Sequence, residues 1–214
     1  MNVLIILGHP DDKSFNHAIA DTCRNRLIEN GHSVIFHDLY KEGFNPLIDK
    51  IEIPKNGQID TTIKAHCEEL INSNGIIIIH PNWWGQPPAI LKGWIDRVIR
   101  PGIAYEFEEG DNGEGMPIGL LKAKTGLVFN TSNTNEEREN NIFKDPLETL
   151  WKNCIFSLCG VTQFDRKMFR IIVTSNPNQR LNWLNEVKMM IDKYFSKTTT
   201  KTETYNYPDF KIER

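Results

Sequence analysis

Four consecutive isoleucines, Ile76, Ile77, Ile78 and Ile79, constrain this chain more than any other feature. β-Branched residues favour strands, and successive side chains of a strand point to opposite faces. A strand with no polar residue on either face must therefore be buried on both. Val3, Leu4, Ile5, Ile6 and Leu7 are continuously apolar in the same way. Strands of this kind belong to parallel sheets covered by helices on both faces.

The rest of the chain supplies those helices. Strand patterns at residues 3–7, 33–39, 75–80, 125–130 and 161–174 alternate with helix patterns at 15–30, 61–72, 87–98, 146–158 and 178–195. Gly31 stops the first helix, and proline is tolerated in the first turn of the third. Residues 40–60 carry Gly43, Pro46, Pro54 and Gly57, too many breakers for one element, and form an extended excursion. Residues 100–119, rich in glycine and acid, are expected to form a mobile loop. The inventory predicts an α/β, flavodoxin-like, doubly wound, five-stranded parallel sheet of order 2-1-3-4-5. At 214 residues the chain suits one domain. Its expected extent is 1–195, followed by a polar tail at 196–214 that is extended, partly disordered or laid across a partner subunit.

Charge and cysteine usage narrow the function. A net charge of -3 with no basic patch argues against nucleic-acid binding. Cys23, Cys67, Cys154 and Cys159 have neither zinc-like nor redox spacing and read as reduced structural thiols. No apolar stretch reaches the about 20 residues a membrane span needs. With no basic segment ahead of the first strand, a cytoplasmic protein is expected and no membrane insertion. His32, His37 and His80 read as packing or surface residues, and no metal is expected.

Two loops carry the candidate chemistry. The first strand leads into Gly8, His9, Pro10, Asp11, Asp12, Lys13, Ser14, Phe15 and Asn16 just before a helix. Exposed amides, Ser14, Asn16 and His9 offer hydrogen bonds to phosphate oxygens. Neither the Gly-x-Gly-x-x-Gly fingerprint nor a Walker lysine is present, so a Rossmann or nucleotide-hydrolase loop is not supported. The isoleucine strand ends at Pro81, Asn82, Trp83 and Trp84, and a helix opens at Pro87, Pro88 and Ala89. Trp83 and Trp84 form a stacking wall at a sheet edge where open parallel sheets bind ligands. A flat, electron-rich heterocycle suits it. On the third helix Asp96 is placed to pair with Arg100, and Lys92, Asp96 and Arg97 suit solvation or subunit contact. The acidic run 106–114 reads as a solvated loop or a lid.

The stretch His9, Pro10, Asp11 with Ser14, Phe15, Asn16, and the block Pro81, Trp84, Pro88, Ala89, Ile90, Leu91, Lys92, Gly93, Trp94, Asp96, Arg97, Val98, Gly102, Ala104, Tyr105, resemble the NAD(P)H:quinone oxidoreductase family. That family includes DT-diaphorase, modulator-of-drug-activity proteins and ancillary subunits of potassium-efflux systems. The resemblance covers most of the first 130 residues. It implies a homodimer that binds FMN or FAD non-covalently and passes a hydride from NADH or NADPH to the flavin and then to a quinone or similar acceptor. It also implies that His9, Ser14, Phe15 and Asn16 hold the flavin phosphate. Pro81, Asn82, Trp83, Trp84 and Gly85 would line the ring system, and Thr131, Ser132, Asn133 and Thr134 its polar edge. Tyr105 matches a substrate-pocket tyrosine. A slot that admits one nicotinamide or quinone ring at a time implies ping-pong turnover.

The chain departs from the family in two places. It reads Asn130, Thr131, Ser132, Asn133, Thr134 where many members have Thr-Thr-Gly-Gly. Residues 135–141 hold neither the tyrosine nor the histidine of the DT-diaphorase relay, and Phe107 replaces a second pocket tyrosine. Two rival expectations stand beside this one: a regulatory flavoprotein docked on a potassium-efflux transporter, which the resemblance suggests, and an electron-carrier flavodoxin.

Overall fold

The isoleucine run forms the central strand of a five-stranded parallel sheet. The computed structural model describes residues 1–111 and 113–197. The sheet strands, in chain order, are β1 (Asn2–Leu7), β2 (Ser33–Asp38), β3 (Gly75–Pro81), β6 (Thr125–Ser132) and β7 (Gln163–Arg170), and their spatial order is β2-β1-β3-β6-β7. Counting sheet strands alone this is the 2-1-3-4-5 order expected. Two short strands, β4 (Tyr105–Glu106) and β5 (Ile118–Gly119), pair antiparallel between β3 and β6 in the chain. They give structure to what the sequence presented as a mobile loop. The expected tail begins at the edge of the described residues, and 198–214 lie outside them, as does Asn112 of the acidic run.

Strand alternation explains the isoleucines. Ile76 and Ile78 enter one core with Leu4 and Ile6, while Ile77 and Ile79 enter the other with Val3, Ile5 and Leu7. Each face then carries its own helices. On the first lie α2 (Thr61–Asn72), α3 (Ala89–Val98) and the helical segment that starts as α4 (Pro146–Glu148). They contribute Ile63, Leu70, Leu91, Trp94 and Trp151. On the second lie α1 (Phe15–Glu29) and α5 (Pro177–Tyr194), with Ile19, Leu27, Trp183 and Val187. Side-chain caps fix the starts of three helices. Ser14, Asp60 and Asn176 accept from the backbone amides of His17, Ile63 and Gln179. The segment after α4 winds as π-helix over Thr149–Ser157, wider than the helix expected there.

Three expectations change. Asp96 pairs with Lys92 across one turn of α3 (2.5 Å), and Arg100 instead donates to the Glu52 carbonyl (2.7 Å). Arg97 is buried, not solvated. It donates to both Glu52 oxygens, to Asp60 and to the Asn45 carbonyl, and so clamps the 40–60 excursion onto α3. That excursion is locally ordered too, with a short 3-10 turn at Lys50–Glu52 capped by Asp49. The four cysteines are free. Burial pushes the thiols of Cys67 and Cys159 up to about 11 and about 12, which suits inert structural residues. No helix among the described residues is long and apolar enough to cross a membrane.

Candidate active site

Sheet order alone brings three loops together. β1, β3 and β6 are neighbours, so the loops leaving their C-terminal ends meet at one edge. There they enclose a cleft of about 430 Å3 lined by His9, Ser14, Phe15, Asn16, Pro81, Asn82, Trp83, Thr131, Ser132, Asn133 and Thr134. Asp11, Lys13, Ile172 and Arg180 complete it.

The first wall is the entry to α1. Phe15 and Asn16 open that helix, so their amides have no carbonyl four residues back within it and the helix dipole favours an anion. The Asp11 amide (3.1 Å) and the Asp11 carbonyl (3.2 Å) both lie against His9 Nδ1, which engages that nitrogen within the loop. Burial holds the His9 pKa below its usual 6.5, so the ring is neutral at pH 7. Ser14 Oγ lies 3.0 Å from His17 Nδ1, and His17 Nε2 lies 3.0 Å from Asp38, which ties the cap to the end of β2.

Asn16 carries the most informative atom of the site. Its amide Nδ2 donates to Thr131 Oγ1 (2.8 Å), joining the first loop to the third, while its Oδ1 is buried without a partner. An orphan acceptor costs about 1–3 kcal/mol. A ligand that presents a hydroxyl or ring N–H satisfies it. The third loop uses its polar atoms partly on itself. Ser132 Oγ accepts from the Thr134 amide (3.0 Å) and Asn133 Oδ1 from the Val173 amide (2.9 Å). The Asn133 amide nitrogen and the Thr134 hydroxyl make no such internal bond among the described residues.

The aromatic wall differs from expectation. Trp83 faces the cleft, its ring 6.3 Å from that of His9. Trp84 is fully exposed and lines nothing. The cause is a tight turn closed by two backbone bonds between Trp83 and Gln86 (3.1 and 3.0 Å). Its central residues, Trp84 and Gly85, have φ of 58° and 73°, the signature of a type I′ turn. Such a turn throws its tip side chain outward. For a tryptophan the left-handed conformation costs about 1–2 kcal/mol. Gly85 is required here, since a Cβ would sit 2.7 Å from Pro146 Cγ.

The cleft therefore gathers eleven of the fourteen expected site residues and leaves out Trp84, Gly85 and Tyr105. Tyr105 belongs to the β4–β5 hairpin and packs against Phe107 (5.9 Å between rings) because residues 100–119 fold back on themselves. The acidic run does not line the cleft either. Asp11 and Lys13 belong to the candidate first loop, whereas Ile172 and Arg180 were not anticipated. Arg180 sits at the start of α5, bonded to Ser175 Oγ (2.8 Å) and the Ile172 carbonyl (3.2 Å). A cation at a helix N-terminus opposes the dipole, and that local mismatch was the available signal.

Comparison with known proteins agrees with the fold. Residues 1–182 match a family model described as a flavodoxin-like fold. An uncharacterized NAD(P)H oxidoreductase of Haemophilus influenzae is 34% identical over 206 residues, 94% of this chain and 96% of that protein. NAD(P)H dehydrogenase (quinone) 1 of Rattus norvegicus is 32% identical over 123 residues, 49% of this chain and 45% of that protein. A solved FMN-dependent NADH-azoreductase from Bacillus anthracis, in complex with FMN, superposes with a TM-score of 0.72 at 18% identity. The superposition covers 91% of this chain and 99% of that one and bears on the fold alone. With the family match spanning both the strand order and all three cleft loops, the chain belongs to the flavodoxin-like NAD(P)H oxidoreductases.

Proposed function

We propose that the protein is a cytoplasmic, flavin-dependent NAD(P)H oxidoreductase that reduces quinones or comparable two-electron acceptors. One observation carries the reading: a donor-rich helix entry and an indole wall face each other across a single cleft, with a buried orphan acceptor at Asn16. FMN or FAD bound there supplies hydride-accepting chemistry.

The chain's own residues hold and shape that site. His9, Ser14 and the amides of Phe15 and Asn16 take the phosphate end, with Lys13 and Arg180 adding positive charge. Asn16 Oδ1 takes a ligand donor. Pro81, Asn82 and Trp83 make a flat wall that excludes water from one side. Thr131, Ser132, Asn133 and Thr134 face the polar rim, where fixed dipoles favour developing negative charge. One slot admits one flat substrate at a time, so turnover is ping-pong. The protein acts as a homodimer in this reading, and Trp84 and Tyr105, which stand outside the cleft of a single chain, are the residues offered for contact across the subunits.

Acid extraction of the purified protein should release FMN or FAD. Initial rates with NADH or NADPH and a quinone should then give parallel double-reciprocal lines. Intersecting lines would reject the one-slot scheme.

A further inference from the structure

Glu139 is a fully buried carboxylate beside the cleft, and no part of the proposed chemistry uses it. It sits in a π-helical turn, Arg138–Ile142, an irregularity common at functional sites. No cation pairs with it among the described residues. Both of its oxygens instead receive the side-chain amide of Asn82, at 3.0 and 3.1 Å. Burying a carboxylate without a cation is costly, so the contact must secure something in return.

Asn82 shows what that is. With its nitrogen turned to Glu139, its Oδ1 must face the other way, where it accepts from the Gly85 amide (2.9 Å). Its own backbone amide donates to the Thr131 carbonyl (2.7 Å). Asn82 thereby ties the strained Trp83–Gln86 turn to the third cleft loop. The orientation of its amide depends on an acceptor at Glu139, since two donors cannot face each other.

We propose that Glu139 is a positioning residue that acts through Asn82 to hold the strained Trp84–Gly85 turn closed and so fixes the Trp83 wall of the cleft. The proposal rests on the flavin reading for its purpose and not for its geometry. A Glu139→Gln side chain keeps the shape and presents a donor as well as an acceptor, so Asn82 loses its fixed orientation and the turn opens more often.

Hydrogen exchange of the Gln86 amide, which closes the turn, reports this in the flavin-free protein. Glu139→Gln should raise its exchange about tenfold while the Ile77 amide of β3 stays protected. Asn82→Ala should do the same, and the double variant should add nothing further. Trp84→Gly should rescue Glu139→Gln, because glycine adopts a positive φ without strain. FMN affinity, read by flavin fluorescence, should fall about tenfold in Glu139→Gln. Unchanged Gln86 exchange in Glu139→Gln would overturn the proposal, whatever Asn82→Ala does. So would equal loss of protection at Gln86 and Ile77, which marks a general loss of stability, or raised exchange with unaltered FMN affinity. A wild-type protein that takes up no flavin would instead reject the functional reading, while the exchange result would still decide the clamp.

Discussion

Replacing Arg97 with methionine should lower the unfolding free energy by about 3–5 kcal/mol. The guanidinium is buried, donates to Glu52 at 3.1 and 2.6 Å and to Asp60 at 2.8 Å, and reaches the Asn45 carbonyl at 2.7 Å. Methionine keeps much of the apolar stem and removes every one of those bonds. Glu52, itself buried, is left as an uncompensated carboxylate. That penalty, more than the lost attraction, sets the size of the effect. The damage should concentrate in residues 40–60, which Arg97 and Arg100 fasten to the rest of the molecule. Denaturant unfolding measures the loss, and a change below about 1 kcal/mol, the range of exposed pairs, would show that the clamp is a surface contact. The cleft is built from other loops, so ligand affinity of the folded fraction should be retained.

Acid should destabilise the protein well before its carboxylates titrate. His80 is buried in a form that only a neutral ring satisfies. Its Nδ1–H donates to the Pro81 carbonyl (2.8 Å), while Nε2 accepts from Trp151 and Asn130 (2.9 Å each). His66 accepts from the Trp94 indole at 3.3 Å and lies 4.1 Å from the His37 ring. Burial lowers both pKa values to about 4. The unfolded chain therefore binds these protons first. Stability is full above pH 6.5 and falls as the pH drops toward 4, by about 2 kcal/mol per histidine at pH 5. His9, also lowered by burial, adds in the same direction. Guanidinium midpoints at pH 7 and pH 5 test this. His66→Gln, which keeps an acceptor for Trp94, should remove a large share of the difference, and equal midpoints for the wild-type protein would contradict the account.

What could be read in advance followed from period and order. The isoleucine strand and the apolar first strand declare burial on both faces, and alternation with helices gives the parallel sheet. Neighbouring strand ends then bring the His9–Asn16 and Pro81–Trp83 loops together. Features set by contacts distant in sequence were not legible. Helical spacing made Arg97 look solvated, because it cannot show that Glu52 and Asp60 fold over it. The two-residue strands at Tyr105 and Ile118 are too short to carry an alternating pattern. Trp84 turned outward because a type I′ turn places it at positive φ, a position where sequence preference would put asparagine or glycine. Arg180 entered the cleft from α5, beyond the stretch in which the family motifs are recognisable, and Glu139 lay in residues 135–141, which the sequence marked only by the missing tyrosine and histidine.

The central claim is that this cleft holds a flavin. Titration of the flavin-free protein with FMN and with FAD, followed by flavin fluorescence, tests it most directly. The account predicts saturable binding of at least one of them at one site per chain, weakened at least tenfold by Asn16→Leu, which removes both the orphan acceptor and the link to Thr131. Absence of saturable binding by either flavin, or binding indifferent to Asn16, would contradict it.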